Sequence, residues 1–351
     1  MTAGDVDSPA SDLEWSISNG RVTETPDLAS YDVIEISSSG GKDSQAMVFY
    51  VAELLSQRGL LDRGVVAHAD LGRVEWPGTL EVAKQQAQIA GLRFVTRARS
   101  QGDLLDHVEQ MGYWPTPSTR YCTADHKRQQ LLALMTGMAD DVRAGRRSVA
   151  IARADALGRL GASKLRAEID GETNIDLLVA LQRRERGRLK RKRVMKAIAE
   201  RLTSLRKRGV TPPPVRILNC VGLRAEESQG RSKLDPFKPG ARGSSARKKI
   251  DMWLPVHGWT ESEIWDAVRA SGAPVHPADA AGLPRASCVF CIYAPEAALQ
   301  IAGKLHPELL AEYVAVEQRI GHTFKRSLPI AKVAADIAVG VEPTSVESWA
   351  M

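Results

Sequence analysis

The chain has little of what most quickly narrows a protein's chemistry. Its 351 residues include 4 cysteines, none of them after Cys291. Aromatic residues make up 5%, and none interleaves with the basic residues between 143 and 208, so base stacking is not expected there. No apolar run approaches the ~18 residues that cross a bilayer, so no membrane partner is expected. The first residues, MTAGDVDSPASDLEW, lack the basic start and apolar centre of a secretory signal, and the expectation is a cytoplasmic protein. So few cysteines in a reducing compartment argue against disulfides and for a metal or redox role. The histidines (His68, His107, His126, His257, His276, His306 and His322) show no metal-ligand spacing and read as ordinary core or surface residues.

What is present is an alternation of short β-branched runs and helical stretches. Segments 33–38, 64–69 and 93–96 read as strands, and 43–58 and 79–90 as the helices between them. Segments 102–111 and 124–135 read as further helices. That rhythm predicts an α/β fold, a doubly wound and mainly parallel sheet. From 137 to 214 no strand is legible, and leucine, isoleucine and methionine recur at helical spacing. Strand character resumes at 215–221, segment 235–249 looks like a flexible loop, and 253–256 reads as a last short strand. Helices are expected at 260–270, 295–304 and 307–319. The expected organisation is a lead-in at 1–30, with Trp15 and Ile17 as anchors, and an α/β nucleotide-binding domain from 31–136 and 215–294. A basic helical insertion fills 137–214, and a helical C-terminal part and tail occupies 295–351.

The stretch SSSGGKDSQ, 37–45, joins the first strand to the first helix. Gly40 and Gly41 allow a tight turn and close backbone approach to a ligand. Ser39 and Ser44 add hydroxyls, Lys42 adds charge, and a helix N-terminus begins at Asp43. Such a nest suits a pyrophosphate, whereas a plain strand-to-helix turn needs only one glycine. Neither common glycine fingerprint fits. The first Walker A glycine would fall on Ile36, and Asp43 replaces the hydroxyl that holds magnesium. The third glycine of the dinucleotide pattern is Ser44.

SGGKDS resembles the PP-loop of the ATP pyrophosphatases, which adenylate a substrate and release pyrophosphate. The other motifs resemble the phosphoadenosine phosphosulfate (PAPS) reductase branch of that superfamily. Ala69-Asp70-Leu71-Gly72 with Glu75 and Thr79 is similar to its Asp-Thr-Gly…Glu-Thr element. Arg120-Tyr121-Cys122-Thr123 with Lys127 is similar to its Cys-Thr-x-x-x-Lys segment. Gly222-Leu223-Arg224-Ala225-Glu226-Glu227-Ser228 with Arg231 resembles a Gly-Ile-Arg-x-x-Glu-Ser element of its phage-type and uncharacterised members, and WLPVHGWTESEIW, 253–265, the run that follows. The C-terminal Glu-Cys-Gly-Leu-His of true PAPS reductases is absent, so the thiosulfonate intermediate it supports has no cysteine there.

The resemblance implies ATP with Mg2+ as cofactor, held by Ser39, Gly40, Gly41, Lys42, Asp43, Ser44, Asp70 and Gly72. Arg120, Lys127, Arg224 and Arg231 would neutralise anionic groups, with Glu227 and Ser228 lining the site. Lys42, Asp43, Asp70, Arg224 and Glu227 are the candidate catalytic residues. The implied chemistry is adenylate formation followed by sulfur transfer, with a nucleic-acid acceptor as in DNA phosphorothioation enzymes and a sulfur-donor protein as partner. A sulfonucleotide reductase using an external thiol, and a nucleotide-binding module without turnover, are the alternatives.

Cys288 and Cys291 form a C-x-x-C, and Cys122 and Cys220 stand alone. All four fall near expected rim segments, which suits a [4Fe–4S] cluster or a zinc ion. Cys220 alternatively is a small core residue. Between 143 and 208 there are 20 Lys and Arg against 7 Asp and Glu. The densest run, Arg183 to Arg193, predicts contact with the phosphates of DNA or RNA, its alternative being a solvated helical face.

Overall fold

The computed structural model describes residues 24–186, 191–286, 288–344 and 346. The anchors Trp15 and Ile17, and Gly187, Arg188, Leu189 and Lys190 of the basic run, lie outside the described residues. Strands β1 (Val33–Ser37), β2 (Gly64–Asp70), β3 (Arg93–Ala98), β4 (Val215–Val221), β5 (Phe237–Lys238) and β6 (Lys248–Trp253) form one sheet. Its order is β3-β2-β1-β4-β6-β5. Every neighbouring pair is parallel except β5 with β6. Successive strands depart from β1 in both directions, so the C-terminal ends of β1 and β4 mark the point where the winding reverses. Ligands bind at that crevice in open α/β sheets.

The helices in chain order are α1 (Lys42–Ser56), α2 (Thr79–Ile89), α3 (Leu104–Met111), α4 (Tyr121–Thr123), α5 (Gln129–Leu157), α6 (Ala162–Gly171) and α7 (Ile175–Glu185). There follow α8 (Lys192–Lys207), α9 (Gln229–Ser232), α10 (Glu261–Ser271), α11 (Pro277–Ala280), α12 (Glu296–Leu305), α13 (Pro307–Ile320) and α14 (Ile330–Ala338). Side chains alternate across β1, and this alternation winds helices onto both faces. Ile34 and Ile36 pack with Met47 and Val51 of α1 and with Ile264 of α10. Val33 packs on the opposite face with Val65, Met135 and Ala139, the last two from α5. Glu35 shares that face, fully buried, and accepts from Asn219 Nδ2 at 2.7 Å. Burial pushes its carboxyl up to about 8, so it is neutral at pH 7.

Helix α5, ~44 Å long at 1.5 Å per residue, belongs to two cores. Its first half covers the sheet, while Ala150 and Ala154 of its second half pack with α6, α7 and α8. It therefore runs straight through position 137. Between β3 and β4 the described residues form helices and no strand. The last long strand differs from expectation: β6 spans Lys248–Trp253, not 253–256. Its polar residues are paired, which the loop-like composition conceals. Lys248 Nζ donates to Thr136, and Asp251 accepts from the Tyr31 hydroxyl at 2.9 Å. A fourth cluster joins α3, α12, α13 and α14 beyond the sheet's C-terminal edge, centred on Trp114, Phe290 and Tyr313.

Candidate active site at the winding reversal

The loop after β1 is built from its own hydroxyls and backbone. Gly40 N–H donates to Ser38 Oγ at 3.1 Å, and Ser39 N–H to Ser44 Oγ at 3.3 Å. Ser44 Oγ in turn donates to the Gly41 carbonyl at 2.8 Å. Gly40 has φ +77, and a Cβ there would stand 3.3 Å from the Thr79 carbonyl oxygen. A Cβ on Gly41 would stand 2.5 Å from Ala286 Cβ. Both positions therefore need glycine, one for conformation and one for space.

Charges ring the loop in pairs. Lys42 is only 3% exposed; its Nζ donates to the Pro284 carbonyl at 2.5 Å and lies 3.4 Å from Glu261. Its backbone N–H, at the start of α1, donates to Asp279 Oδ2 at 3.2 Å. Asp43 accepts from Arg224 Nε at 2.5 Å, and Arg224 also donates to Glu226 at 2.7 Å. Glu227 forms ion pairs with both Arg231 and Arg285, and accepts the Arg224 N–H at 3.0 Å. Burial alone would raise the Glu227 carboxyl; Arg231, the Arg224 amide and Arg285 outweigh it and hold it below the ordinary value. Ser228 caps α9 by accepting the Arg231 N–H at 3.3 Å. Lys42, Asp43, Arg224, Glu227 and Arg231 thus sit around one loop with Ser39, Gly40, Gly41 and Ser44.

A second group stands at the end of β2. Asp70 Oδ1 accepts the Gly72 N–H at 2.8 Å, so both residues shape the loop that follows. His68, buried beneath the loop after β1, places Nδ1 2.9 Å from the Ser38 carbonyl and Nε2 3.2 Å from Glu75. Both partners are oxygen acceptors, a pattern that an imidazolium fits. Burial opposes that charge, but Glu75, the Ser38 carbonyl and Asp70 outweigh it and raise the His68 pKa. Lys127, in the π-helical turn Ala124–Arg128, faces Glu75 together with Cys288, Cys122 and Cys291. Burial opposes its charge, yet its pKa is raised, with the Glu75 carboxylate as the anion beside it. Burial pushes the Cys288 thiol up to about 12 and raises Cys122, so at neutral pH both are thiols rather than nucleophilic thiolates. Exposed Arg120 borders this group, its guanidinium 5.8 Å from the Tyr293 ring centre.

Cys220 does not join the other three. It pairs with Ile36 and Trp253 in the sheet and packs, fully buried, in the core under α1 and α10. Cys122, Cys288 and Cys291 pack instead against the Trp114–Tyr313 cluster. Among the described residues no group of three or more His, Cys, Asp or Glu is arranged to hold a metal ion. The four-cysteine site expected from their rim positions does not fit this arrangement, because Cys220 lies in the separate core under α1 and α10. The basic run divides as well. Arg184 turns inward to Asp155 and Glu185; Arg191 donates to the carbonyls of Gly158 at 3.1 Å and Leu160 at 2.9 Å. Arg183, Arg186, Lys192 and Arg193 are exposed.

Three site residues escape sequence reasoning. Arg285 stands just ahead of the C-x-x-C, a position that hints at a role. Asp279 lies in a Pro- and Ala-rich stretch with no motif. His68 looks like any strand histidine.

No protein-family model matches the chain, and no curated protein does. Among solved structures, a phosphoadenylyl-sulfate (PAPS) reductase from Candida auris in its phosphate complex is similar at 10% identity. The match covers 75% of this chain and 84% of that one, with a TM-score of 0.33. The α/β assignment rests on the strand order and two-sided helical cover of this chain. No helix among the described residues is long and apolar enough to cross a membrane.

Proposed function

We propose that this chain is a PP-loop enzyme of the PAPS reductase type, binding the phosphates of ATP or a sulfonucleotide at 38–44. One observation carries the reading. A two-glycine loop opens the helix at the winding reversal of a parallel sheet, and Lys42, Arg224, Arg231 and Arg285 converge on its rim. The backbone N–H groups at the start of α1 would receive the β and γ phosphates. Arg224, Arg231 and Arg285, already oriented by Asp43, Glu226 and Glu227, would exchange part of that pairing for phosphate oxygens.

The proposed reaction with ATP has a substrate oxygen attack the α-phosphorus. The bond from that phosphorus to the bridging oxygen breaks, pyrophosphate leaves, and an adenylate forms. A sulfur nucleophile from a donor protein then displaces AMP. Lys42 and the arginines stabilise charge on the leaving pyrophosphate, a preorganised electrostatic role. Magnesium bound with ATP would supply further neutralisation, with Asp43 the carboxylate at the loop. Nucleic acid is the proposed acceptor, approached through the exposed cations of the helical unit. No step is routed through a metal centre at the cysteines.

Calorimetry with a non-hydrolysable ATP analogue, and pyrophosphate release from ATP, test the proposal. Gly40→Val and Gly41→Val should each lower affinity more than 100-fold, with folding checked by circular dichroism. Unchanged affinity in both variants would sink the phosphate-loop assignment.

A further inference from the structure

The phosphate loop is covered by the chain's own segment 277–286. Helix α10 ends at Gly272 in a left-handed turn, φ +60. The residues that follow are pinned beside the loop. Gln86 Nε2 donates to the carbonyls of Pro274 and Gly40, both at 3.0 Å. His276 accepts the Ala278 N–H on Nδ1 at 3.0 Å, so its other nitrogen carries the proton and donates to Thr79 Oγ1 at 2.9 Å. Burial lowers the His276 pKa to about 4, in keeping with that neutral tautomer. These contacts form a fixed base.

Beyond the base, the contacts fall on the groups that a phosphate would use. Asp279 Oδ2 accepts the Lys42 N–H, Pro284 O accepts from Lys42 Nζ, Ala286 rests on Gly41, and Arg285 pairs with Glu227. Asp279 is thus an internal anion on the first turn of α1. Its fit is incomplete, because Oδ1 is buried and accepts no hydrogen bond among the described residues. A buried carboxylate oxygen without a partner is costly to hold in place. Burial also pushes the Asp279 carboxyl up to about 6 against the opposing pull of Lys42.

We propose that segment 277–286 is an autoinhibitory strap, with Asp279 occupying the place of a nucleotide phosphate, so that phosphate binding displaces it. The inference rests on the nucleotide reading above and adds a competitor to that site. Displacement frees the Lys42 N–H and ammonium together, and it moves Arg285, which directly precedes the segment carrying Cys288 and Cys291. Nucleotide occupancy and the surroundings of those thiols are thereby linked.

The test is hydrogen exchange on wild-type protein with and without a saturating non-hydrolysable ATP analogue, alongside calorimetry with that analogue and with inorganic pyrophosphate. Amides of Ala280, which donates to the His276 carbonyl of the base, and of Ala281, Gly282 and Leu283, which donate within the strap, should exchange at least 10-fold faster when ligand is bound. Asp279→Asn keeps the shape and removes the charge, and should bind both ligands about 10-fold more tightly. Binding by the Asn variant alone would also support the strap. Wild-type binding with unchanged or slower exchange, and no gain from Asp279→Asn, would overturn the strap and leave the nucleotide reading standing. Absence of binding in both proteins would overturn the two together.

Discussion

Two carboxylates in this protein each hold a pair of arginines, in unlike surroundings. Glu185 lies at the end of α7, 0% exposed, between Arg184 and Arg191. Around it are aliphatic side chains of α5 to α8, and the Arg191 guanidinium is also taken up by carbonyls at the end of α5. Glu227 lies on the rim of the loop after β1 between Arg231 and Arg285, beside the Asp43–Arg224 pair and a helix N-terminus. The first cluster closes a helical core. The second gathers positive charge where a parallel sheet opens to ligands. Arginine count alone does not separate these roles; the second set of partners does.

The sharpest way to break the comparison is to remove each carboxylate. Glu185→Ala leaves Arg184 with Asp155 and Arg191 with the carbonyls of Gly158 and Leu160 but removes the buried anion between them, and loss of one partner from a buried ionic cluster costs about 3–5 kcal/mol. Urea unfolding should show that loss, and hydrogen exchange should place it in α5 to α8 with the sheet strands unaffected. A change below about 1 kcal/mol would mean that Glu185 is not the keystone of that core.

Much of this contrast was not legible in the sequence, for reasons that can be named. The first strand, loop and helix were readable because alternation in VIEIS and the Gly-Gly-Lys turn are local signals. Cys220 was legible as either a core residue or a fourth ligand, and its pairing with Ile36 across the sheet decides for the core. Arg184 and Arg191 looked like neighbours in one cationic run; where α7 ends decides that both turn inward. The start of β6 read as loop and the strand was expected at 253–256, because Lys248 and Asp251 find partners on α5 and Tyr31, far away in sequence. Asp279 gave no signal, since its meaning comes only from lying over α1.

Glu227→Gln should cost less, because the Gln side-chain oxygen can still accept from Arg231 and Arg285; hydrogen bonds to charged groups are worth about 1.5–3 kcal/mol. Its pH signature is distinctive. The folded carboxyl is held below the ordinary value, so its contribution is complete above the unfolded pKa and is lost as pH falls through the folded one. The difference in unfolding free energy between wild type and Glu227→Gln should therefore be largest at neutral pH and shrink below about pH 4.5. A constant difference from pH 7 to pH 3 would show that the pairing with Arg231 and Arg285 is not ionic. The same variant should weaken ATP-analogue binding, because the two guanidiniums lose their orientation, whereas Glu185→Ala should not.

The smallest effect on stability is expected from the exposed cations of the helical unit, and it is the one that bears on the acceptor. Arg183, Arg186, Lys192 and Arg193 are exposed, while Arg184 and Arg191 are engaged in the fold. Replacing the four exposed residues with Gln should change unfolding free energy by less than about 0.5 kcal/mol per site, as surface substitutions do. If they contact phosphates, each lost contact flattens the dependence of log affinity on log salt by about 0.9 for duplex DNA and about 0.7 for single strands. The loss should be alike for all sequences, because phosphate contacts position a nucleic acid without reading it. Fluorescence anisotropy with labelled duplex and single strands at several salt concentrations measures that slope. ATP-analogue affinity should stay at the wild-type value, since none of the four residues touches the phosphate loop or the rim of Glu227. An unchanged salt slope would assign these cations to solvent and remove nucleic acid from the proposed reaction, while the phosphate loop and its strap would stand as argued.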